Sequence, residues 1–132
     1  MNEPENFVFL NIEKAKKSLT SAHILFSHDD LPGTINRLYY CVFYCARALI
    51  SNENVDFKRH SGVISYFRKE YIKTGILDMR LSDIIGDLFD DRLGCDYNIC
   101  FPVNEENVKK EIEDAEYFLD EITKYLKSID KL

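Results

Sequence analysis

The stretch from Asp30 to Ser51, DLPGTINRLYYCVFYCARALIS, decides the fold. Asp30 can cap the start of a helix, and Pro32 then falls in the first turn, where its missing N–H costs nothing. The residues that follow are apolar around most of the helical circumference, which is typical of a helix surrounded by other helices. We therefore predict that this segment is the central buried helix.

Outward from this segment, apolar residues recur three and four positions apart, and no stretch alternates in the manner of a strand. The chain therefore predicts four further helices, which run from Asn11 to Ser27, from Ser61 to Gly75, from Asp78 to about Gly94, and from Asn104 onward. Gly75 is expected in the left-handed conformation that ends a helix, and Asn104 is expected to cap the last helix. These patterns predict an all-α fold, an antiparallel up-and-down bundle of four to five helices.

Length and composition limit the classes of function. With 132 residues, 45% of them hydrophobic, the chain is expected to form one domain over residues 1–132. Its start is acidic and no apolar run has the length of a membrane span, so we expect a cytoplasmic protein without a membrane partner. A net charge of −6 argues against binding to duplex DNA, which needs clustered positive charge.

Four cysteines could in principle bind zinc. Cys41 and Cys45 lie one helical turn apart, and Cys95 and Cys100 lie near the end of the fourth predicted helix. Neither pair has the two-residue spacing of a zinc knuckle, and buried cysteines are common in helical cores. We expect reduced thiols, no metal and no cofactor.

The central helix carries one polar and aromatic stripe within an arc of about 100°. Its members are Asn36, Arg37, Tyr40, Tyr44 and Arg47. Guanidinium groups fork onto phosphate oxygens, and aromatic faces accept nucleobases, so the stripe could bind a nucleotide or RNA. The alternative is that each arginine pairs with a carboxylate of a facing helix while the tyrosines fill the core.

A second group of chemically active residues lies at the end of the fourth predicted helix. Arg92 and Asp96 are four residues apart and can form an ion pair, with Tyr97 next to them. In the functional interpretation, Asp96 orients Arg92 towards a phosphate. In the alternative interpretation, the pair is an ordinary surface ion pair. His60, between Arg59 and Ser61, is a candidate catalytic residue or a loop residue that caps a helix.

Several short motifs occur in an order and spacing that resemble the HEPN family over residues 10 to 125. In chain order they are Ser18-Leu19, Ser21-Ala22, Asn36-Arg37-x-Tyr39-Tyr40-x-x-Phe43, His60-Ser61-Gly62-x-Ile64, Lys73-Thr74-Gly75, Arg92-x-x-x-Asp96-Tyr97 and Ala115-x-x-Phe118. The resemblance implies a homodimeric helical bundle. It also implies a gene pairing with a minimal nucleotidyltransferase as a toxin–antitoxin system, and in many members a metal-independent RNase.

The resemblance also locates a departure from the family's RNase motif, an arginine followed after four to six residues by a histidine. Arg92 matches the arginine, but the positions open to the histidine hold Tyr97, Asn98 and Ile99. A phenol with an ordinary pKa near 10 is a poor general base at neutral pH. The catalytic motif is therefore incomplete.

Three hypotheses follow. The first is a module that acts through protein association and binds nucleotide or RNA phosphates in a cleft formed by Arg37, Tyr40, Tyr44, Arg47, Arg92, Asp96 and Tyr97. The second is an endoribonuclease toxin in which Arg92 residues meet across a dimer and Tyr97 or His60 replaces the missing histidine. The third is a purely structural partner of a nucleotidyltransferase.

Overall fold

A computed structural model describes the backbone of residues 3–98 and 101–132 and the side chains from Phe7 onward in these ranges. This part of the chain contains no strand and is organised into α1 (Glu3–Ser27), α2 (Leu31–Asn52), α3 (His60–Phe67), α4 (Met79–Tyr97) and α5 (Glu105–Ser128). The prediction of an all-α helical bundle is confirmed. Within the described ranges, no helix combines the length and the apolar character needed to cross a membrane.

Helix α2 is the centre of the bundle and packs against each of the other four helices. Its apolar side chains, among them Leu38 and Leu49, are fully buried. The start of α2 is fixed as predicted, because the Asp30 carboxylate accepts a hydrogen bond from the Gly33 N–H at 2.9 Å. Pro32 occupies the first turn. The sequence pattern therefore identified both the helix and its role in the core.

Helix α1 begins at Glu3, earlier than the predicted start at Asn11. Val8 and Ile12 extend the buried stripe of α1 towards its beginning. The periodicity is hard to recognise there because large apolar side chains also lie on the solvent face; these are Phe7, Phe9 and Leu10. The amphipathic pattern is therefore weakest where the prediction failed.

Helix α3 differs from its prediction at both ends. It begins with His60, one residue before the predicted start at Ser61, and the preceding Arg59 makes no side-chain capping bond. It then passes into a π-helical turn over Arg68–Ile72. Gly75 has a φ of +80°, which confirms its predicted left-handed conformation.

Helix α4 continues past Gly94, where its end was predicted, to Tyr97. The Asn98 N–H donates to the Gly94 carbonyl at 2.9 Å, which keeps the last turn helical. Gly94 has another role, since a Cβ at this position would collide with the Phe101 ring. The absence of a side chain therefore lets the following segment pack closely on α4.

Helix α5 starts as predicted, because the Asn104 side chain accepts a hydrogen bond from the Asn107 N–H at 2.8 Å. Its buried seam includes Val108, Ile122 and Leu126. Phe118 is fully buried in this seam. The neighbouring Leu119 is only partly buried.

Candidate functional site

Arg92 of α4 lies against two aromatic rings of α2. Its guanidinium carbon is 4.8 Å from the ring centroid of Tyr39 and 5.8 Å from that of Tyr40. Its Nη1 donates to Asp96 Oδ2 at 3.2 Å, and the Arg92 side chain is only 16% exposed. A cation that is mostly removed from water interacts strongly with aromatic faces. The arginine is therefore held in place mainly by α2, with Asp96 as its anionic partner.

The hydrogen-bonding capacity of Arg92 is not filled. The Nε is buried and has no hydrogen-bond partner among the described residues. Asp96 occupies one of the five N–H donors of the guanidinium. Unsatisfied buried donors are uncommon in folded proteins because each one costs about 1–3 kcal/mol. Because Nε is sealed from solvent, the hydrogens on Nη1 and Nη2 that Asp96 does not occupy are the donors that remain for an anion.

His60 lies among the same aromatic rings. Its Nδ1 is 3.0 Å from Tyr39 Oη, and its ring stacks on Phe43 with the centroids 4.0 Å apart. The edge of Tyr40 approaches it at 5.7 Å. The imidazole is thus a fixed part of an aromatic cluster on α2. We call Arg92, Tyr39, Tyr40, Phe43 and His60 together the Arg92 cluster.

The surroundings of His60 favour its neutral form. Burial lowers the pKa of His60 below its ordinary value of 6.5, and the positive charges of Arg92 and Arg47 lower it further. Burial also raises the pKa of the Tyr39 phenol, with Arg92 acting in the opposite direction. At neutral pH, Tyr39 therefore keeps its proton while His60 can accept one.

The predicted stripe of α2 adjoins the Arg92 cluster through Tyr40. The Arg37 guanidinium carbon is 4.9 Å from the Tyr40 centroid, and the Tyr44 ring lies 5.9 Å from the Tyr40 ring. Both Nε and Nη2 of Arg37 donate to Asn36 Oδ1, at 3.0 and 2.8 Å. The structure therefore brings Tyr40 next to Arg92 and connects Arg37 and Tyr44 to the cluster through the Tyr40 ring.

Arg47 lies at the other edge of His60 and is paired with Asp56. Its Nη2 is 2.6 Å from Asp56 Oδ2, and its Nε is 3.2 Å from Asp56 Oδ1. The hydrogen bond from Arg47 lowers the pKa of the Asp56 carboxyl group. This is the pairing that the alternative interpretation expected, although the carboxylate comes from the loop after α2. Arg47, Asp56 and His60 also line a common hollow of about 330 Å³ with Lys58 and the Phe57 ring.

Tyr97 is not part of the cluster. It is 82% exposed, and none of the described aromatic or hydrogen-bonding contacts joins it to Arg92 or His60. Asp96, by contrast, is in direct contact with Arg92. Of the two residues predicted to replace the absent histidine, His60 therefore lies beside the Tyr39 ring and Tyr97 does not. Ile99 lies outside the described residues.

Sequence reasoning missed Tyr39 and Phe43 as site residues because both looked like core side chains. Tyr39 is fully buried, yet its hydroxyl reaches His60. The available signal was the hydroxyl itself, since a buried tyrosine needs a hydrogen-bond partner. The sequence alone could not say that this partner is a histidine of α3.

The cysteines of α2 do not belong to the Arg92 cluster. Cys41 and Cys45 are buried in α2, and burial, followed by the hydrogen bond with Cys41, raises the pKa of Cys45. Among the described residues, no group of three His, Cys, Asp or Glu side chains is arranged to hold a metal ion. Cys100, which the zinc alternative required, lies outside the described residues.

The fold and the Arg92 cluster define an all-α domain of the type suggested by the sequence motifs, and the HEPN domain model matches residues 10–126. The chain belongs to the HEPN family. It is 35% identical to a UPF0332 protein of Thermotoga maritima over 129 residues, which is 98% of each chain. It is also 35% identical over 115 residues to "Putative toxin MJ0142" of Methanocaldococcus jannaschii, covering 87% of this chain and 78% of that relative. A second protein of that organism, "Putative toxin MJ0605", is 35% identical over 118 residues, covering 89% and 87%.

Proposed function

We propose that this protein is a component of a toxin–antitoxin system that pairs it with a nucleotidyltransferase, and that its Arg92 cluster binds the phosphates of a nucleotide or RNA. The observation that carries the proposal is the position of Arg92, which lies on Tyr39 and Tyr40 and gives only one of its five N–H donors to Asp96. The names of two relatives support the toxin part of the proposal.

The chemistry of the cluster suits a phosphate next to a base. Arg92 supplies a planar fork of donors with little contact to water, which strengthens its attraction for an anion. Arg37 adds a second guanidinium on the Tyr40 ring, and no carboxylate of the described residues pairs with it. Tyr40 and Tyr44 present aromatic rings on which a base can stack.

The experiment compares two arginines of α4 with similar contacts. Arg92→Ala should weaken binding of labelled single-stranded RNA and of ATP by about tenfold or more, which is the range for losing a charged hydrogen bond. Arg80→Ala is the matched control, because Arg80 also stacks on a tyrosine and pairs with an aspartate. Equal affinities of the Arg92→Ala variant and the parent protein would refute the phosphate site.

The partner and the homodimer belong to the same proposal and need their own measurement. Co-expression with the minimal nucleotidyltransferase of the proposed pair should yield a stable complex in size-exclusion chromatography. Sedimentation of the chain alone should give the mass of a dimer. A monomer that does not bind the nucleotidyltransferase would contradict this part of the proposal. The phosphate site would still be tested by the titration.

A second candidate function, a metal-independent endoribonuclease, is favoured by the position of His60. With a proton on Nδ1 donated to Tyr39 Oη, the Nε2 lone pair can accept the proton of a ribose 2′-hydroxyl. The 2′-oxygen then attacks phosphorus, the 5′-oxygen leaves with a proton from solvent, and Arg92 stabilises the charge on the phosphoryl oxygens. The product would be a 2′,3′-cyclic phosphate.

The two candidate bases can be separated by mutation. Incubation with end-labelled RNA should give cleavage by the parent protein and by Tyr97→Phe, and none by His60→Gln. Loss of cleavage in Tyr97→Phe with activity retained in His60→Gln would reverse the assignment. Intact RNA after long incubation with the parent protein would exclude the nuclease and leave the binding function.

A further inference from the structure

A pocket between α1 and the end of α2 has no assigned role. Its volume is about 390 Å³, within the range of sites that bind small organic molecules. Apolar walls come from Phe7, Leu10 and Val55. Phe7 and Leu10 are about half exposed, at 49% and 45%. We call this cavity the α1–α2 pocket.

Asn11 provides a fixed acceptor in the wall of the pocket. Its side chain is almost fully buried, with 8% of the residue exposed, and its Nδ2 donates to the Phe7 carbonyl at 2.9 Å. Because only the amide nitrogen can donate to a carbonyl, the orientation of the amide is determined, and Oδ1 is left without a hydrogen bond from any described residue. Asn11 Oδ1 therefore remains accessible to solvent.

Two cations lie at the rim and connect the pocket with the Arg92 cluster. Lys14 lines the pocket, and its Nζ is 5.4 Å from the centroid of the Tyr44 ring. Tyr44 in turn contacts Tyr40 of the cluster. Arg47 lines both the α1–α2 pocket and the hollow beside His60. Asp56, the ion-pair partner of Arg47, lines both as well, so a bound chain that passes from His60 to the pocket meets this pair and then Lys14.

We propose that the α1–α2 pocket is a base-binding subsite for single-stranded RNA, which receives a nucleobase of the strand whose phosphate the Arg92 cluster holds. A flat base fits between the apolar walls with its face on Phe7. Every nucleobase carries an N–H donor on its pairing edge, which suits Asn11 Oδ1. Lys14 then faces a flanking phosphate. This inference rests on the proposed phosphate site.

The test fills the pocket and removes the base in turn. The probes are a fluorescein-labelled tetra-adenylate and four versions of it, each with one abasic position, measured by fluorescence anisotropy. In the parent protein, one abasic position should weaken binding by about tenfold, since a stacked base contributes about 1–3 kcal/mol. Leu10→Trp fills the pocket from a half-exposed position. It should weaken binding of the intact probe by the same factor, and the abasic position should then cause no further loss of affinity.

The control variant is Ile24→Trp, which places the same ring on α1 at a position that is 55% exposed and lines none of the cavities described above. It should bind all probes like the parent protein. Asn11→Leu is a second test variant, which removes the acceptor and leaves the apolar walls; it should also weaken the intact probe. Thermal melting confirms that each variant is folded.

Three results would overturn the base subsite. If Leu10→Trp and the abasic position weaken binding additively, the base lies elsewhere. Leu10→Trp that leaves RNA binding unchanged but alters the sedimenting mass would make the pocket an interface with a second copy. Equal weakening of AMP and the tetranucleotide by Leu10→Trp would make it a mononucleotide site. Failure of the phosphate site is recognised separately, by Arg92→Ala binding RNA as tightly as the parent.

Discussion

Helix α4 carries two arginines with similar contacts and different surroundings. Arg92 lies 4.8 Å from the Tyr39 centroid and pairs with Asp96, and Arg80 lies 4.1 Å from the Tyr117 centroid and pairs with Asp114. In the first pair the arginine side chain is the less exposed member, 16% against 37% for Asp96. In the second pair it is the aspartate, 17% against 54% for Arg80. The same residue types therefore expose a carboxylate in one case and a cation in the other.

The neighbours of the two arginines reinforce this difference. Arg37, His60 and Arg47 surround the Arg92 side of α4, whereas Asp114 faces a hollow of about 260 Å³ lined by further acidic residues of α4 and α5. In that hollow, burial raises the pKa of Glu111 to about 9, assisted by a hydrogen bond and negative charge from Asp91. The surroundings of Arg92 are therefore richer in basic residues, and the hollow beside Asp114 is richer in carboxylates. Burial and neighbouring charge, more than residue type, distinguish a candidate site from a surface contact.

The largest expected difference concerns the two tyrosines beneath the arginines. Tyr39→Ala should lower the free energy of unfolding by about 3–5 kcal/mol, because it opens a cavity in the core and leaves His60 without its partner. Tyr117→Ala should lower it by about 1 kcal/mol, since this ring is only partly buried. Urea denaturation measures both values. Similar losses would remove the distinction between the two sides of α4.

The acidic side should respond to alkaline pH. The pKa of Glu111 is raised in the folded protein, so the folded state holds a proton that the unfolded state has released above its ordinary pKa of 4.5. Stability therefore falls as pH rises from about 4.5 through 9. Glu111→Gln should reduce this fall and increase the free energy of unfolding by about 1–2 kcal/mol at pH 8, after allowance for solvent screening. Melting curves between pH 5 and 9 test this, and parallel curves for both proteins would contradict it.

The Arg92 cluster should lose stability in acid, whereas the acidic hollow loses stability in alkali. The pKa of His60 is lowered by burial and by Arg92 and Arg47, so the unfolded state takes up a proton first as pH falls below 6.5. Stability is therefore lost between pH 6.5 and the lower folded pKa. After allowance for solvent screening, His60→Gln should reduce the acid-dependent loss of stability by less than about 1 kcal/mol. His23→Gln serves as the control, because that histidine is half exposed on α1. Identical acid profiles for the two variants would contradict the assignment.

The smallest expected effect separates binding from stability. Arg92→Met should change the free energy of unfolding by less than about 1 kcal/mol, because an apolar side chain of similar length fits a mostly buried position and removes an unpaired donor. Arg80→Met should be equally neutral, as exposed ion pairs contribute little. RNA affinity should nevertheless fall only for Arg92→Met. Calorimetry combined with anisotropy makes this comparison, and a strongly destabilised Arg92→Met would assign the arginine to the core.

The sequence predicted local features well because their causes are local. The Asp30 and Asn104 caps and the left-handed Gly75 each depend on a few adjacent residues. The stripe of α2 could be recognised because helical spacing alone aligns its members. The start of α1 was missed because apolar residues occupy both of its faces there, as Phe7 illustrates.

The candidate site was only partly predictable because its central contact joins distant parts of the chain. The Tyr39–His60 hydrogen bond connects residues 21 positions apart, and no periodicity encodes such a pairing. Arg92 and His60 were both recognised as candidates, but their common contact with Tyr39 was not. Tyr97, adjacent in sequence to Asp96, turned out to point into solvent. Sequence proximity was therefore a poor guide to which groups meet.

Three different helices each contribute one member of the chain of contacts from Tyr39 of α2 to His60 at the first position of α3 and Arg92 of α4. No two of these helices alone can form it. The arrangement should consequently appear late in folding, when both α3 and α4 have docked, so that a nascent or partly unfolded chain lacks it. A compound that separates α3 from α2 would remove His60 from the Arg92 cluster without contacting the arginine.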